Sequence, residues 1–366
     1  MFEQETDYSF VAIIVFVFMS IFFIVSCVVA QDAKPVENEK QRFELAAAYS
    51  KENRGLSFVV MKGGKIVFEE YQNGFSAKES HLLASGTKSF NGIMAAAAIE
   101  DGLIKNFDEK ISDTITEWKT DKRKSAITLR QLLSLTAGLD VGNNGRPPTY
   151  ADAVKFPAKF DSGTTFEYGP VPFQVFGEVM RRKLLPKKET VLDYMKRRIF
   201  DLIGLKVADW TMQEGQPDLP SGAYLSALDW LKFGQLLKNE GKWDGKQVIE
   251  KKYLRELWNG SKANPNYGLT FWLNSSSNGE ANIAKTENAR VQRLRDFLNI
   301  QSDVEEVSKN GFGKDLPRDM FVAAGAGKQR LYVIPSLDLV IVRQGRQSRF
   351  DDTEFLSRLL LGRKSD

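Results

Sequence analysis

The chain has 366 residues, with 51 Lys and Arg against 47 Asp and Glu, one cysteine and one histidine. Its length fits one large domain or two intimate ones, and a net charge of +4 without a basic block interleaved with aromatics provides no nucleic-acid surface. A lone Cys27 excludes an internal disulfide and a cysteine-based metal site, and a lone His81 excludes zinc held by two or three histidines; neither metal nor cofactor is expected.

Residues 10–30, FVAIIVFVFMSIFFIVSCVVA, carry no charge and match the roughly 20 residues that span a bilayer. Three fates are open to this segment: a retained anchor, a signal peptide cut after Ala30, or a lipoprotein signal with Cys27 lipidated. The preceding flank is acidic at Glu3, Glu5 and Asp7, and the first basic residue is Lys34. Read literally, the positive-inside rule places the C-terminal side in the cytoplasm, against a standard export signal. We expect membrane attachment on the periplasmic or extracellular face, with the orientation open. Residues 31–40, around Pro35, read as a linker to a globular part over 41–366.

Residues 43–51 read as a helix. Residues 56–61 and 65–71 read as strands of a hairpin turning at Gly63-Gly64. Ser85 and Lys88 then form S-x-x-K, and no other serine in the chain has lysine three places on. The motif precedes a run of helix formers over 93–100. With Ser85 at the helix start, Lys88 falls one turn later on the same face. A serine hydroxyl needs a neighbouring base, and a lysine amine serves once burial lowers its pKa. Free N–H groups at a helix start also stabilise an oxyanion. His81 stands four residues before Ser85, whereas a triad histidine normally arrives from a distant loop; it reads as a surface or turn residue. A helix is expected over 108–118, and another in ITLRQLLSLTAGL (127–139), capped by Thr128 and ended by Gly138.

S-x-x-K followed at this distance by ITLRQLLSLTAGL resembles the serine β-lactamase-like superfamily, in its branch of class C β-lactamases, carboxylesterases and 6-aminohexanoate-dimer hydrolases. The stretch 161–170, DSGTTFEYGP, is similar to a family segment whose tyrosine shares proton transfer with the lysine, which implies that role for Tyr168. Beside a lysine cation its phenolate form is expected to become easier to reach. The family's following asparagine, which helps hold the lysine and the substrate amide, is replaced by Pro170. Residues 202–205, 222–230 and 266–272 resemble a structural turn, a segment leading into a helix to 237, and an aromatic strand opening the final sheet. Helices are expected over 171–185 and 190–200. Residues 275–317 read as an insertion able to rim the pocket, with a helix over 291–300. Residues 323–329, AAGAGKQ, resemble the family's third motif without its K-T-G lysine, followed by strands over 331–335 and 337–342. The resemblance implies a second oxyanion N–H at Ala326, flanked by Gly325 and Gly327. Lys328 is displaced from the cationic position.

The resemblance implies an α+β, β-lactamase/transpeptidase-like fold: an antiparallel sheet from both chain ends, flanked by helices, with a mostly helical part between. The reading is a serine hydrolase cleaving a small-molecule ester or amide through an acyl-enzyme on Ser85. Two alternatives stay open. One is a penicillin-recognising β-lactamase or D-Ala-D-Ala peptidase using Lys328 for the substrate carboxylate. The other is a non-catalytic, membrane-tethered binding module.

Overall fold

The structure, a computed structural model, describes residues 36–142, 146–275, 281–284 and 300–365. The apolar run 10–30, Cys27 within it, and the helix expected over 291–300 lie outside these residues, Ile300 excepted. Among the described residues no helix is long and apolar enough to cross a membrane.

Helix α1 (Glu39–Glu52) starts ahead of the expected 43 because Asn38 caps it, its side chain accepting from the Gln41 N–H at 3.2 Å. Strands β1 (Gly55–Lys62) and β2 (Lys65–Tyr71) form the predicted hairpin, with Gly63 and Gly64 both at positive φ. The other sheet strands come from the end of the chain: β3 (Trp272–Leu273), β4 (Phe321–Gly325), β5 (Gln329–Ile334) and β6 (Leu339–Gly345). The spatial order is β3-β4-β5-β6-β1-β2, antiparallel throughout, with Val60 opposite Ile341 where the two chain ends meet. This is the sheet the resemblance implies.

Side-chain alternation gives the sheet two covered faces. On one, Phe58 meets Phe68 and Phe355, and Phe43 of α1 meets Phe68. On the other lies the helix Ala227–Lys238. Its Gly234 sits so close to Val340 that an added Cβ would come within 2.4 Å of a Val340 methyl. Between β2 and β3 the chain builds the helical part. Its centre is α2 (Ser89–Glu100), buried at every position from Ser89 to Ile99. The alanines 95–98 suit that place because surrounding elements can approach their short side chains closely.

Four expected elements differ. Residues 108–118 form two 3-10 turns, Ile111–Asp113 and Thr116–Trp118, because the Ile111 N–H donates to the Ile127 carbonyl at 2.9 Å instead of up a helix. The helix after Thr128 has the full capping box with Gln131 but covers only Leu129–Leu133; Leu135 turns left-handed at φ 59°. Gly138 ends no helix: at φ 72°, its missing Cβ leaves room for the Phe160 carbonyl oxygen. The helix over 190–200 is α-helical only at Val191–Met195, and Lys196–Phe200 widens into a π turn. Residues 266–271 make a tight loop rather than a strand: Gly268 N–H donates to the Phe271 carbonyl at 2.9 Å, and Tyr267 pairs back onto Trp272.

Candidate active site

Ser85 lies on a 3-10 turn, Ala84–Lys88, that runs into α2, rather than on the α-helix itself. Ala84 just before it is left-handed at φ 47°, a conformation disfavoured for a residue with a Cβ and one that persists only where its surroundings enforce it. Here they do. The Leu83 N–H donates to the Ala223 carbonyl at 2.9 Å, and the Thr87 hydroxyl accepts from the Ala223 N–H at 3.2 Å. The Trp230 ring closes over Gly86, where a Cβ would approach it to 2.9 Å.

The Lys88 Nζ donates to Ser85 Oγ at 3.0 Å and to the Pro220 carbonyl at 3.1 Å, and it stands over the rings of Tyr168 and Phe173 at 4.9 and 5.4 Å. Burial disfavours the ammonium and lowers the Lys88 pKa to about 7, with Asp218 pulling more weakly the other way. A large share of the amine is therefore neutral at neutral pH, the form that can accept a proton. With proline at 170, the Lys88 amine is held instead by the Pro220 carbonyl. Asn91, one turn after Lys88, donates through Nδ2 to the carbonyls of Lys88 and Leu219 at 3.1 and 3.0 Å. This ties the loop bearing Pro220 to the motif. Pro170 instead opens the helix Val171–Leu184.

Tyr168 hydrogen-bonds Ser85, and its ring stacks on Trp272 at 5.7 Å with an interplanar angle of 26°. Its expected easier ionisation is not what the surroundings produce. Burial pushes the phenol up to about 12, outweighing the Ser85 hydrogen bond and the nearby Arg330 charge. Tyr168 is therefore a neutral hydroxyl at neutral pH rather than a phenolate.

Gly325, Ala326 and Gly327 line the same pocket as Ser85 and Tyr168. The Gly325 carbonyl accepts from Arg330 Nη1 at 3.1 Å. Its peptide is trans, so the Ala326 N–H points the opposite way from the arginine. Arg330 is itself locked by a two-point pair with Asp352, at 2.6 and 2.8 Å, and Tyr332 OH adds a hydrogen bond to the same carboxylate. Burial pushes the Asp352 carboxyl up, but Arg330, Lys328 and Tyr332 outweigh it and hold it below the usual carboxylate range. Lys328 is buried on the pocket wall, at the left-handed end of the turn, φ 62°.

His81 sits in the short strand His81–Leu82, its ring beside Phe75 and its Nδ1 3.0 Å from the Leu82 carbonyl, and it is not among the residues lining the Ser85 pocket. Sequence reasoning missed Asn91, the Pro220 carbonyl, Arg330 and Asp352. Only Asn91 had a readable signal, its spacing of three from Lys88.

Gly325 offers a direct check on this arrangement. A Cβ there would sit 2.0 Å from the Leu83 carbonyl oxygen and 2.9 Å from the Gly86 nitrogen. Both are backbone atoms of the turn that carries Ser85. Gly325→Ala should therefore force strand and turn apart, destabilise the fold by about 1–3 kcal/mol, and reduce kcat more than it raises KM. Thermal unfolding and steady-state kinetics measure both. A variant with wild-type kcat would mean that the close approach of β4 to the turn is not needed.

The Beta-lactamase family model matches residues 38–344. No curated protein matches the chain. Among solved structures, a Bacillus anthracis protein provisionally named a 6-aminohexanoate-dimer hydrolase superposes with a TM-score of 0.64 at 18% identity, over 86% of this chain and 79% of its own. A penicillin-binding protein homologue from Caulobacter crescentus gives 0.63 at 15%, over 88% and 96%. A family VIII carboxylesterase gives 0.62 at 15%, over 90% and 97%. At such identities the likeness is one of fold. The family match, in contrast, runs from the cap of α1 almost to the end of β6, and on that extent the chain belongs to the β-lactamase family.

Proposed function

We propose that the protein is a serine hydrolase that cleaves an ester or amide through an acyl-enzyme on Ser85. The observation that carries this is the 3.0 Å contact between the Ser85 hydroxyl and a Lys88 amine whose pKa lies near 7. In this reading the neutral Lys88 amine takes the Ser85 proton as Oγ bonds to the substrate carbonyl carbon. The oxyanion is held by the N–H groups of Ser85 and Ala326. As the bond to the leaving group breaks, Tyr168 gives that group its phenolic proton and is refilled from the Lys88 ammonium. Water then attacks the acyl-enzyme, with Lys88 again the base, and releases the acid. The uncharged run 10–30 supports attachment to a membrane. We place the catalytic part on the periplasmic or extracellular face, against the acidic flank before the run, which by the positive-inside rule favours the cytoplasmic side.

The test is intact-mass spectrometry of the full chain in detergent after exposure to a small fluorophosphonate. One adduct is expected, absent in Ser85→Ala. A folded protein that takes up no adduct would overturn the reading in favour of a binding module.

A further inference from the structure

The pocket over Ser85 has two unlike halves. One is the catalytic side, with Tyr168 and the Ala324–Lys328 edge. The other is apolar and is supplied by Trp272 together with Val304, Val307 and Phe312, from the segment that interrupts the sheet before β4. Val304 and Val307 lie one turn apart on the helix Ile300–Asn310, so they present one face. Val304 and Phe312 are nearly fully buried although they line a pocket, which marks them as part of a packed wall.

That wall is fixed by buried polar groups. Asn264 Nδ2 donates to Ser308 Oγ at 2.8 Å, and Asn266 Nδ2 donates to the Ser308 carbonyl at 3.1 Å. Asn274 Oδ1 accepts from the Phe312 N–H at 2.9 Å, while Thr353 Oγ1 donates to the Phe312 carbonyl at 2.8 Å. All three asparagines are inaccessible to solvent or nearly so. A segment that reads in the sequence as a polar insertion is thus docked by buried side-chain hydrogen bonds, with Val304, Val307 and Phe312 lining the pocket that holds Ser85. Of the charged groups on the catalytic side, Arg330 and Asp352 pair with each other, and Lys328 lies near enough to Asp352 to help hold that carboxyl ionised, whereas the wall opposite carries no charge.

We propose that the wall of Val304, Val307, Phe312 and Trp272 is the specificity site of the enzyme and takes a neutral, aliphatic or aromatic group attached next to the scissile carbonyl. This rests on the serine hydrolase reading and narrows it to apolar esters or amides. Each methylene fully buried on such a wall multiplies kcat/KM by roughly three to four. The four methylenes that separate an acetyl from a hexanoyl group therefore give on the order of a hundredfold.

The experiment uses the full chain and two series of esters. One lengthens the acyl group on p-nitrophenol; the other lengthens the alcohol on a fixed acetate. A rise of at least about tenfold is expected in one series, which identifies the side of the carbonyl the wall receives. In that series Phe312→Ala should move the optimum to longer chains and Val307→Trp to shorter ones. Val307 is only half-buried, so its replacement keeps the test alive if Phe312→Ala fails to fold. Profiles that stay flat or fall in both series, on protein fully labelled by fluorophosphonate, overturn the apolar site and leave the hydrolase standing. Folded variants with unmoved optima overturn it as well. Protein that takes up no label removes the hydrolase reading and this inference together.

Discussion

Replacing Lys88 by methionine should lower kcat/KM by about 10²–10⁴-fold, the range for loss of a positioned general base, without unfolding the protein. Methionine matches the length of the lysine stem and suits a site closed over by the rings of Tyr168 and Phe173. The wild type should show kcat/KM rising about tenfold per pH unit up to about pH 7 and levelling above it, because only the neutral amine accepts the serine proton. The methionine variant should lack that limb. Stability carries a second signature with its own sign. The folded chain holds Lys88 neutral from about pH 7 upward, whereas the unfolded chain keeps it protonated to its ordinary 10.5. Between those values the unfolded state binds the extra proton, so wild type gains stability relative to the variant as pH rises. Below about 7 the amine is charged in both states, and the full penalty of burying it is present. Thermal unfolding of both proteins from pH 6 to 10 reads this difference directly. A variant within tenfold of wild-type activity, or a stability difference independent of pH, would remove Lys88 from the role of base.

Tyr168→Phe should divide substrates by their leaving groups. The phenol, pushed up to about 12, is neutral across the working range and has a proton to give. p-Nitrophenolate departs without help, so hydrolysis of its esters should fall only modestly, by about tenfold. An alkyl ester or amide needs its leaving group protonated and should lose about 10²–10⁴-fold. The phenylalanine ring can keep the stack on Trp272, so unfolding should be unchanged. Equal losses on both kinds of substrate would mean that the hydroxyl only orients Ser85. No basic limb from Tyr168 is expected below pH 10, because burial keeps its proton on.

Local spacing was legible. Three residues on a helical turn bring Ser85 and Lys88 within 3.0 Å, and Thr128 and Gln131 close a capping box as their spacing requires. The hairpin at Gly63-Gly64 needed only its glycines. Resemblance supplied what spacing could not: Tyr168 and the Gly325–Gly327 edge, both of which line the pocket with Ser85. Where the reading went astray, long-range partners had taken over backbone groups. The helix expected over 108–118 fails because residue 127 claims its donor, and the strand over 266–271 folds back on itself. The acidity of Tyr168 was misjudged for a related reason. A neighbouring cation is visible as a residue in the sequence, but the loss of water around the phenol depends on the whole enclosure, and here that loss is larger.

The sequence by itself therefore determined the pairing of Ser85 with Lys88 and the order of the three motifs, because contacts within one turn depend on spacing alone. Tertiary structure decided what holds and tunes them. The Pro220 carbonyl accepts from the Lys88 amine, the Arg330–Asp352 pair holds the Gly325 carbonyl, and Val304, Val307 and Phe312 line the pocket of Ser85. Each of these joins residues far apart in the chain, and desolvation, the force that brings Lys88 to about 7, exists only once they have come together.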